Sequence, residues 1–231
     1  MFASSPESDM IEAIIFDIDG TLVDSVDYHA QAWQKAFDHF GKSFEFQAIR
    51  DQIGKGGDQL LPTFLTKSET DRIGEALKQH RSEIFKEHYL ARVKPFSGVR
   101  ELFERIREDG KRIGIGSSAH KDELEHHLKL CKVIDLVDAA TSADDADKSK
   151  PHPDIFEAAL SKLGETPQRT IVVGDSPYDA EAANKISMRT IGMLCGGFDR
   201  SILEEAGVVE IFETPSDLLK NYERSIINRQ S

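Results

Sequence analysis

The segment IIFDIDGTLVDS, Ile14 to Ser25, sets two carboxylates one residue apart, Asp17 and Asp19, where an apolar run gives way to Gly20 and Thr21. Alone, an Asp-x-Asp after a strand reads as a turn or a helix cap. Three further polar clusters follow and change that reading. Ser117 and Ser118 stand in GSSAH, Lys150 in KSKPHPD, and Asp175 and Asp179 in VVGDSPYD. Carboxylates from separate strand ends can hold a hard cation through oxygen, as Mg²⁺ prefers. Hydroxyls, backbone amides and a lysine ammonium can grip phosphoryl oxygens. Singly, each cluster has an ordinary structural role: the serines cap a helix beginning near His120, Lys150 is a solvated lysine before Pro151, and the two aspartates charge the first turn after Pro177. Jointly they suit a phosphate ester.

These residues need a frame that brings strand ends together. From Ile11 to Phe16 the chain is short, apolar and branched, as in a strand buried on both faces of a parallel sheet. In DYHAQAWQKAFDHFG, Ala30, Trp33, Phe37 and Phe40 recur at helical spacing, and Gly41 supplies a left-handed stop. Phe44 to Val93 keeps helical periods without a convincing strand. There Ile73, Leu77, His80, Ile84 and His88 are expected on one face, behind Ser68 as cap. After KPFSG the texture alternates: helix Val99 to Glu108, strand Arg112 to Gly116, helix Asp122 to Leu130, and a short strand near Leu136. Helix Asp154 to Leu163, strand Thr170 to Val173, helix Tyr178 to Lys185, strand Thr190 to Met193, helix Ser201 to Glu205 and a last strand Val208 to Phe212 complete the pattern. The expected architecture is α/β, a Rossmann-like parallel sheet with helices on both faces. Its core is discontinuous, residues 1–25 and 95–231, around an inserted all-helical cap, residues 26–94. In such sheets ligands bind where the strands end.

The composition narrows the partners. With 231 residues, 8% aromatic and 30% charged, the chain can bury a sizeable core, and it has no apolar run long enough to span a membrane. A net charge of −12 repels phosphate backbones and anionic lipid, so neither nucleic acid nor membrane is an expected partner. Cys131 and Cys195 form no zinc or disulfide pattern, which suits a reducing cytoplasm. MFASSPESDM lacks an export signal and reads as a disordered extension. His80, His88, His126 and His127 show no zinc spacing and are read as packing or surface residues, and Cys195 as a small apolar residue ending a strand.

DIDGTLVDS, a serine after the next strand, SKPHPDIF and GDSPYDAEAA, in that order, resemble the motifs of the haloacid dehalogenase superfamily, and the helical block resembles that family's α-helical cap. The resemblance implies Asp17 as nucleophile, attacking phosphorus to form an aspartyl phosphate, and Asp19 as acid and base. It implies Mg²⁺ held by Asp17, by Asp19 through its backbone carbonyl and by Asp175. Ser117 and the Ser118 amide would bind phosphoryl oxygens, Lys150 would balance charge, and Asp179 would orient Lys150 or a metal-bound water.

Within the family, IGKGGDQLL and the C-terminal stretch from LCGGF onwards resemble phosphoglycolate-phosphatase-type members acting on a small phosphorylated metabolite. Lys55 would meet a carboxylate or second anion, Gly54 would allow close backbone approach, and His29, one turn before Trp33, would touch substrate. A β-phosphoglucomutase resembles the chain in YHAQAW and SKPHPDIF, but carries an arginine near the place of Gly57 or Asp58. A non-catalytic phosphate-binding module on the same fold is the third reading. The oligomeric state is not encoded in any of these features.

Overall fold

The computed structural model describes residues 10–229. Of the extension expected over Met1 to Met10, Met1 to Asp9 lie outside the described residues. In chain order the elements are β1 (Ala13–Phe16), β2 (Val23–Asp24), α1 (Val26–His39), α2 (Phe46–Arg50), α3 (Gly57–Phe64), α4 (Lys67–His88), β3 (Lys94–Pro95), α5 (Val99–Glu108), β4 (Arg112–Gly116) and α6 (Lys121–Leu130). They continue as β5 (Ala139–Thr141), α7 (Asp154–Leu163), β6 (Thr170–Gly174), α8 (Pro177–Asn184), β7 (Arg189–Met193), α9 (Arg200–Glu205), β8 (Glu210–Phe212) and α10 (Pro215–Lys220).

Six strands form one sheet in the order β5-β4-β1-β6-β7-β8, every neighbouring pair parallel. All four residues of β1 are buried, as its apolar run requires. Alternate side chains go to opposite faces. Ile14 and Phe16 pack in the larger cluster with Leu102, Phe103 and Ile106 of α5. Ala13 and Ile15 pack with Phe156, Leu160 and Leu163 of α7. The sheet is therefore an α/β core covered on both faces. After β1 the chain builds outward on one side through β4 and β5, then crosses back to add β6, β7 and β8 on the other. The order reverses between β1 and β6, the place where an open α/β sheet offers a crevice. Register aligns the strand ends there, with Phe16 opposite both Ile115 and Val173.

The helices α1 to α4 lie between β2 and β3, which pair antiparallel, Val23 with Pro95 and Asp24 with Lys94. Phe37 anchors the centre of this cap against Trp33, Phe44 and Phe64, at ring separations of 5.8, 5.0 and 5.3 Å. No helix among the described residues is long and apolar enough to cross a membrane.

Three expectations need correcting. Helix α4 is capped by Thr66, not Ser68. Thr66 Oγ1 accepts the Glu69 amide, and the Glu69 carboxylate accepts the Thr66 amide in return. That exchange needs Glu three residues on, which Thr66 has and Ser68 lacks. The buried face of α4 runs through Gly74, Leu77, Ile84 and Phe85. His88 is exposed and His80 packs beside His39 at 4.2 Å, so the histidines fall off the stripe. The strand expected near Leu136 forms three residues later, at Ala139–Thr141.

Candidate active site

The floor of the site is a buried charge cluster at the ends of β1 and β6. Asp17 follows β1 directly, and its amide bonds to Val173 O at 2.9 Å, carrying the sheet's pairing one residue past the strand. Lys150 is fully buried and donates to Asp17 Oδ1 and, at 2.7 Å, to Asp179 Oδ1. Asp179 is the third residue of α8, and its Oδ2 accepts the Ser176 amide and hydroxyl at 3.2 and 2.7 Å. It thus caps its helix, as its place after Pro177 suggested, and pairs with Lys150, the contact that the family resemblance implied. Asp175 follows β6 and accepts Thr21 Oγ1 at 3.2 Å through Oδ1. Gly20 has φ +83°, and a Cβ there would lie 2.3 Å from Asp175 Oδ2, so the turn after Asp19 closes only with glycine.

Charge does not balance in this cluster. Carboxylate oxygens of Asp17, Asp175 and Asp179 lie within 4.8 Å of one another, against one ammonium from Lys150. Burial, opposed by Lys150 and reinforced by the Asp179 and Asp19 charges, pushes Asp17 up to about 7. Burial and the charges of Asp17 and Asp179 push Asp175 well above the usual carboxylate range. For Lys150, burial works against the charge, but the two aspartates outweigh it and raise the group above its ordinary value. Three carboxylates and one ammonium leave two negative charges buried, which is what one divalent cation neutralises. Both Asp179 oxygens are taken by Lys150 and Ser176, so Asp17 and Asp175 have the freer oxygens for such an ion. The donor set, all oxygen, fits magnesium.

Asp19 faces elsewhere. Its Oδ1 accepts Ser25 Oγ at 2.5 Å and lies 2.9 Å from His29 Nε2. Arg81 Nη2 reaches His29 Nδ1 at 3.0 Å. A guanidinium can only donate, so Nδ1 accepts and Nε2 carries the proton given to Asp19. His29 stacks on Phe85 at 4.0 Å, which fixes the ring plane. Burial would raise the Asp19 carboxyl, but His29, His127 and Ser25 together hold it well below its ordinary range. With its carboxylate turned to Ser25 and His29, Asp19 can join a metal at the floor through its backbone carbonyl alone.

A cavity of about 100 Å³ opens above Asp17 and Asp19. Its core side includes Ser118 and Glu123, and its cap side includes His29, Trp33, Gly54, Lys55, Lys78 and Arg81. The Ser118 hydroxyl is buried without a partner, ready for one. Ser117 is fully buried, accepts the Ala119 amide at 3.1 Å, and does not reach the cavity wall. Lys150, Asp175 and Asp179 stay behind the wall as well. The loop carrying Gly54 and Lys55 lies tightly on the core. Gly54 has φ +110°, and a Cβ there would stand 2.7 Å from Ser176 Oγ. Tyr178 donates to Asp51 O at 2.5 Å, Arg50 to Gly196 O at 3.0 Å, and the Ser149 amide to Asp58 at 3.2 Å.

The structure adds residues that sequence reasoning passed over. Lys78 and Arg81 come from α4, and no local motif marks them. Glu123 is buried, lines the cavity and lies 3.8 Å from His29 Nε2. His127, read as a packing residue, is fully buried 3.9 Å from Asp19 with neither ring nitrogen partnered. Both sit on α6 four residues apart, a spacing that placed them on one face but not on the site's face. Cys195, read as ending a strand, lies in a turn two residues past β7, where its Sγ stands 3.2 Å from Gly20 O and burial and the Asp175 charge push the thiol up.

The sequence profile of the family described as haloacid dehalogenase-like hydrolase matches residues 14–193. The pyrophosphatase PpaX of Bacillus mycoides is 26% identical over 210 residues, 90% of this chain and 95% of that protein. The phosphorylated carbohydrates phosphatase of Thermotoga maritima is 26% identical over 210 residues, 90% of this chain and 97% of its own. A solved hydrolase from Pseudomonas syringae superposes with a TM-score of 0.85 at 30% identity, covering 93% of this chain and 98% of that one. The match extends from within β1, just ahead of Asp17, to the end of β7, a span that includes every cluster gathered at the strand ends, and on that ground the chain belongs to the haloacid dehalogenase-like hydrolases.

Proposed function

We propose that the protein is a magnesium-dependent phosphatase hydrolysing a small organic phosphomonoester through an aspartyl phosphate on Asp17, in the manner of phosphoglycolate phosphatases. One observation carries this reading. Two aspartates of a single turn are held by opposite partners, Asp17 by Lys150 in the buried floor and Asp19 by Ser25 and His29 at the cavity edge. One is set to act on phosphorus and the other on protons.

A carboxylate oxygen of Asp17 forms a bond to phosphorus as the bond to the leaving oxygen breaks, and Asp19, which is ionised in the free site and takes up a proton as substrate binds, passes that proton to the leaving oxygen. Water then attacks the aspartyl phosphate, Asp19 takes the proton, and cleavage of the bond between Asp17 and phosphorus frees orthophosphate. Lys150 holds Asp17 in place and offsets negative charge, while the partnerless Ser118 hydroxyl and nearby amides offer donors to phosphoryl oxygens. Magnesium at Asp17 and Asp175 would offset the repulsion between the nucleophile and a phosphate dianion. Closure of the cap about β2 and β3 would exclude bulk water during transfer.

Relatives named as a pyrophosphatase and a phosphorylated carbohydrates phosphatase support a phosphoryl substrate. The cavity, at about 100 Å³, supports a small one, being well under the roughly 300–1,000 Å³ of pockets for drug-sized ligands. A cytoplasmic location accords with two free cysteines. The test is phosphate release from a panel of small phosphomonoesters with Mg²⁺ and with chelator. Release that chelation abolishes and Mg²⁺ restores supports the proposal. Isomerisation of glucose 1-phosphate seen by phosphorus NMR, with no phosphate freed from any ester, would establish the mutase instead, and tight binding without turnover the non-catalytic module.

A further inference from the structure

Arg81 carries a charge that its surroundings leave unanswered. Its guanidinium lies over the rings of Trp33 and Phe85, 5.4 and 5.6 Å from their centroids. One donor is spent on His29, and Nε is buried with no acceptor. Among the described residues Arg81 enters no ion pair. Arg81 is half-buried, and a guanidinium cannot shed its proton, so taking part of it out of water without a counter-ion has a cost that aromatic faces offset only in part.

The same wall supplies more positive charge. Lys78 sits one turn earlier on α4, and among the described residues its one ion pair is with Glu75, 2.7 Å away but 87% exposed. Gly57 gives it room: a Cβ at that position would stand 2.8 Å from Lys78 Cδ and 3.2 Å from Trp33. The acids of the cavity face other groups. Asp19 is turned to Ser25 and His29, and Glu123, on the core side, lies 3.8 Å from His29 with its Oε1 otherwise unpartnered and forms no ion pair with Arg81 among the described residues. Among the described residues, the cap side of the cavity is therefore lined by cations and by no acid of its own, Glu75 lying out in solvent, across a small cavity from the attacking carboxylate.

We infer that Arg81 and Lys78 form a subsite for a second anionic group, a carboxylate or a phosphoryl, carried by the leaving group. The inference rests on the phosphatase reading and extends it: the floor takes the phosphoryl to be transferred, and α4 selects what it is attached to. The narrow cavity keeps the two anions a few bonds apart, which suits a diphosphate or a short phosphorylated acid and disfavours an uncharged alcohol.

Turnover of pyrophosphate, 2-phosphoglycolate, methyl phosphate and glucose 6-phosphate would be compared for the wild type and for Lys78→Met and Arg81→Met. The subsite requires the doubly anionic substrates to be preferred by at least about tenfold in kcat/KM. Pyrophosphate leading identifies a phosphoryl, and 2-phosphoglycolate leading a carboxylate. Because Arg81 also touches His29, its variant loses turnover on all substrates, so the deciding quantity is the ratio between substrate classes. Lys78→Met must shrink that ratio, chiefly through KM, whether or not Arg81→Met folds. Equal use of both classes, or a ratio that Lys78→Met leaves untouched, overturns the subsite. Calorimetric binding to Asp17→Asn separates the two claims. Pyrophosphate or 2-phosphoglycolate binding at least about tenfold tighter than methyl phosphate upholds the subsite even if no variant turns over, and equal binding rejects it.

Discussion

Lys150 and Arg81 are both cations beside the same cavity, yet they are held in opposite ways. Lys150 is fully buried between two aspartates, with its ion pairs complete inside the core. Arg81 is propped on aromatic rings and a histidine, with a buried donor unused. The floor's side chains are fixed by strand ends and helix caps, and its excess negative charge calls for a cation and not for a particular substrate. The cap wall is underdetermined and acquires its counter-charge from what binds. Such a division lets one floor serve many substrates while the cap decides among them.

The contrast can be broken at several points. The largest effect falls on the floor: Asp17→Asn removes the proposed nucleophile and should cut turnover on every substrate by about 10⁴-fold or more, measured as phosphate release. Residual activity near wild type would mean that the attacking group lies elsewhere. Asp19→Asn should cost about 10²- to 10⁴-fold in kcat while leaving substrate binding little changed, since the carboxylate contributes to proton transfer. His29→Asn, which frees Asp19 from one partner and Arg81 from its acceptor, should cost on the order of tenfold in kcat. A purely structural His29 would lower thermal stability and leave the pH profile of kcat in place, whereas a positioning residue shifts that profile. At the small end, Thr66→Ala should lower stability by about 1 kcal/mol, a few degrees in melting temperature, with no change in kcat. Ser68→Ala should change stability by less than about 0.5 kcal/mol. Equal losses from Thr66 and Ser68 would contradict the capping assignment.

How much of this could be read from the chain follows the same contrast. Asp17, Ser117 and Asp175 each sit within two residues of the end of a buried run, where the sheet period itself carries the signal, and the floor emerged with its partners. Strand β5 was displaced because two of its three residues, Ala139 and Ala140, are small with low strand preference, only Thr141 is β-branched, and Leu136 nearby looks more strand-like. On α4 the alternation of His and apolar residues imitated a buried stripe. The cap's packing chose Phe85 in place of His88, a tertiary decision invisible to helical spacing. Arg81, Lys78 and Glu123 escaped notice for a related reason. Each lies in an ordinary charged helix, and only the folding of α4 and α6 over β1 turns them to one cavity. Ser117 was expected at the phosphate with its hydroxyl and Ser118 with its amide, but the Ser117 hydroxyl accepts the Ala119 amide away from the cavity, and it is the Ser118 hydroxyl that stands partnerless beside it.

The central claim is covalent, and one measurement addresses it directly. The enzyme, mixed with substrate and Mg²⁺ and quenched in acid within a single turnover, is digested and its peptides weighed by mass spectrometry. The account requires a phosphoryl group on the peptide containing Asp17, absent from Asp17→Asn and cleared on longer incubation. Turnover that proceeds at full rate with that peptide unmodified at every time point would contradict it.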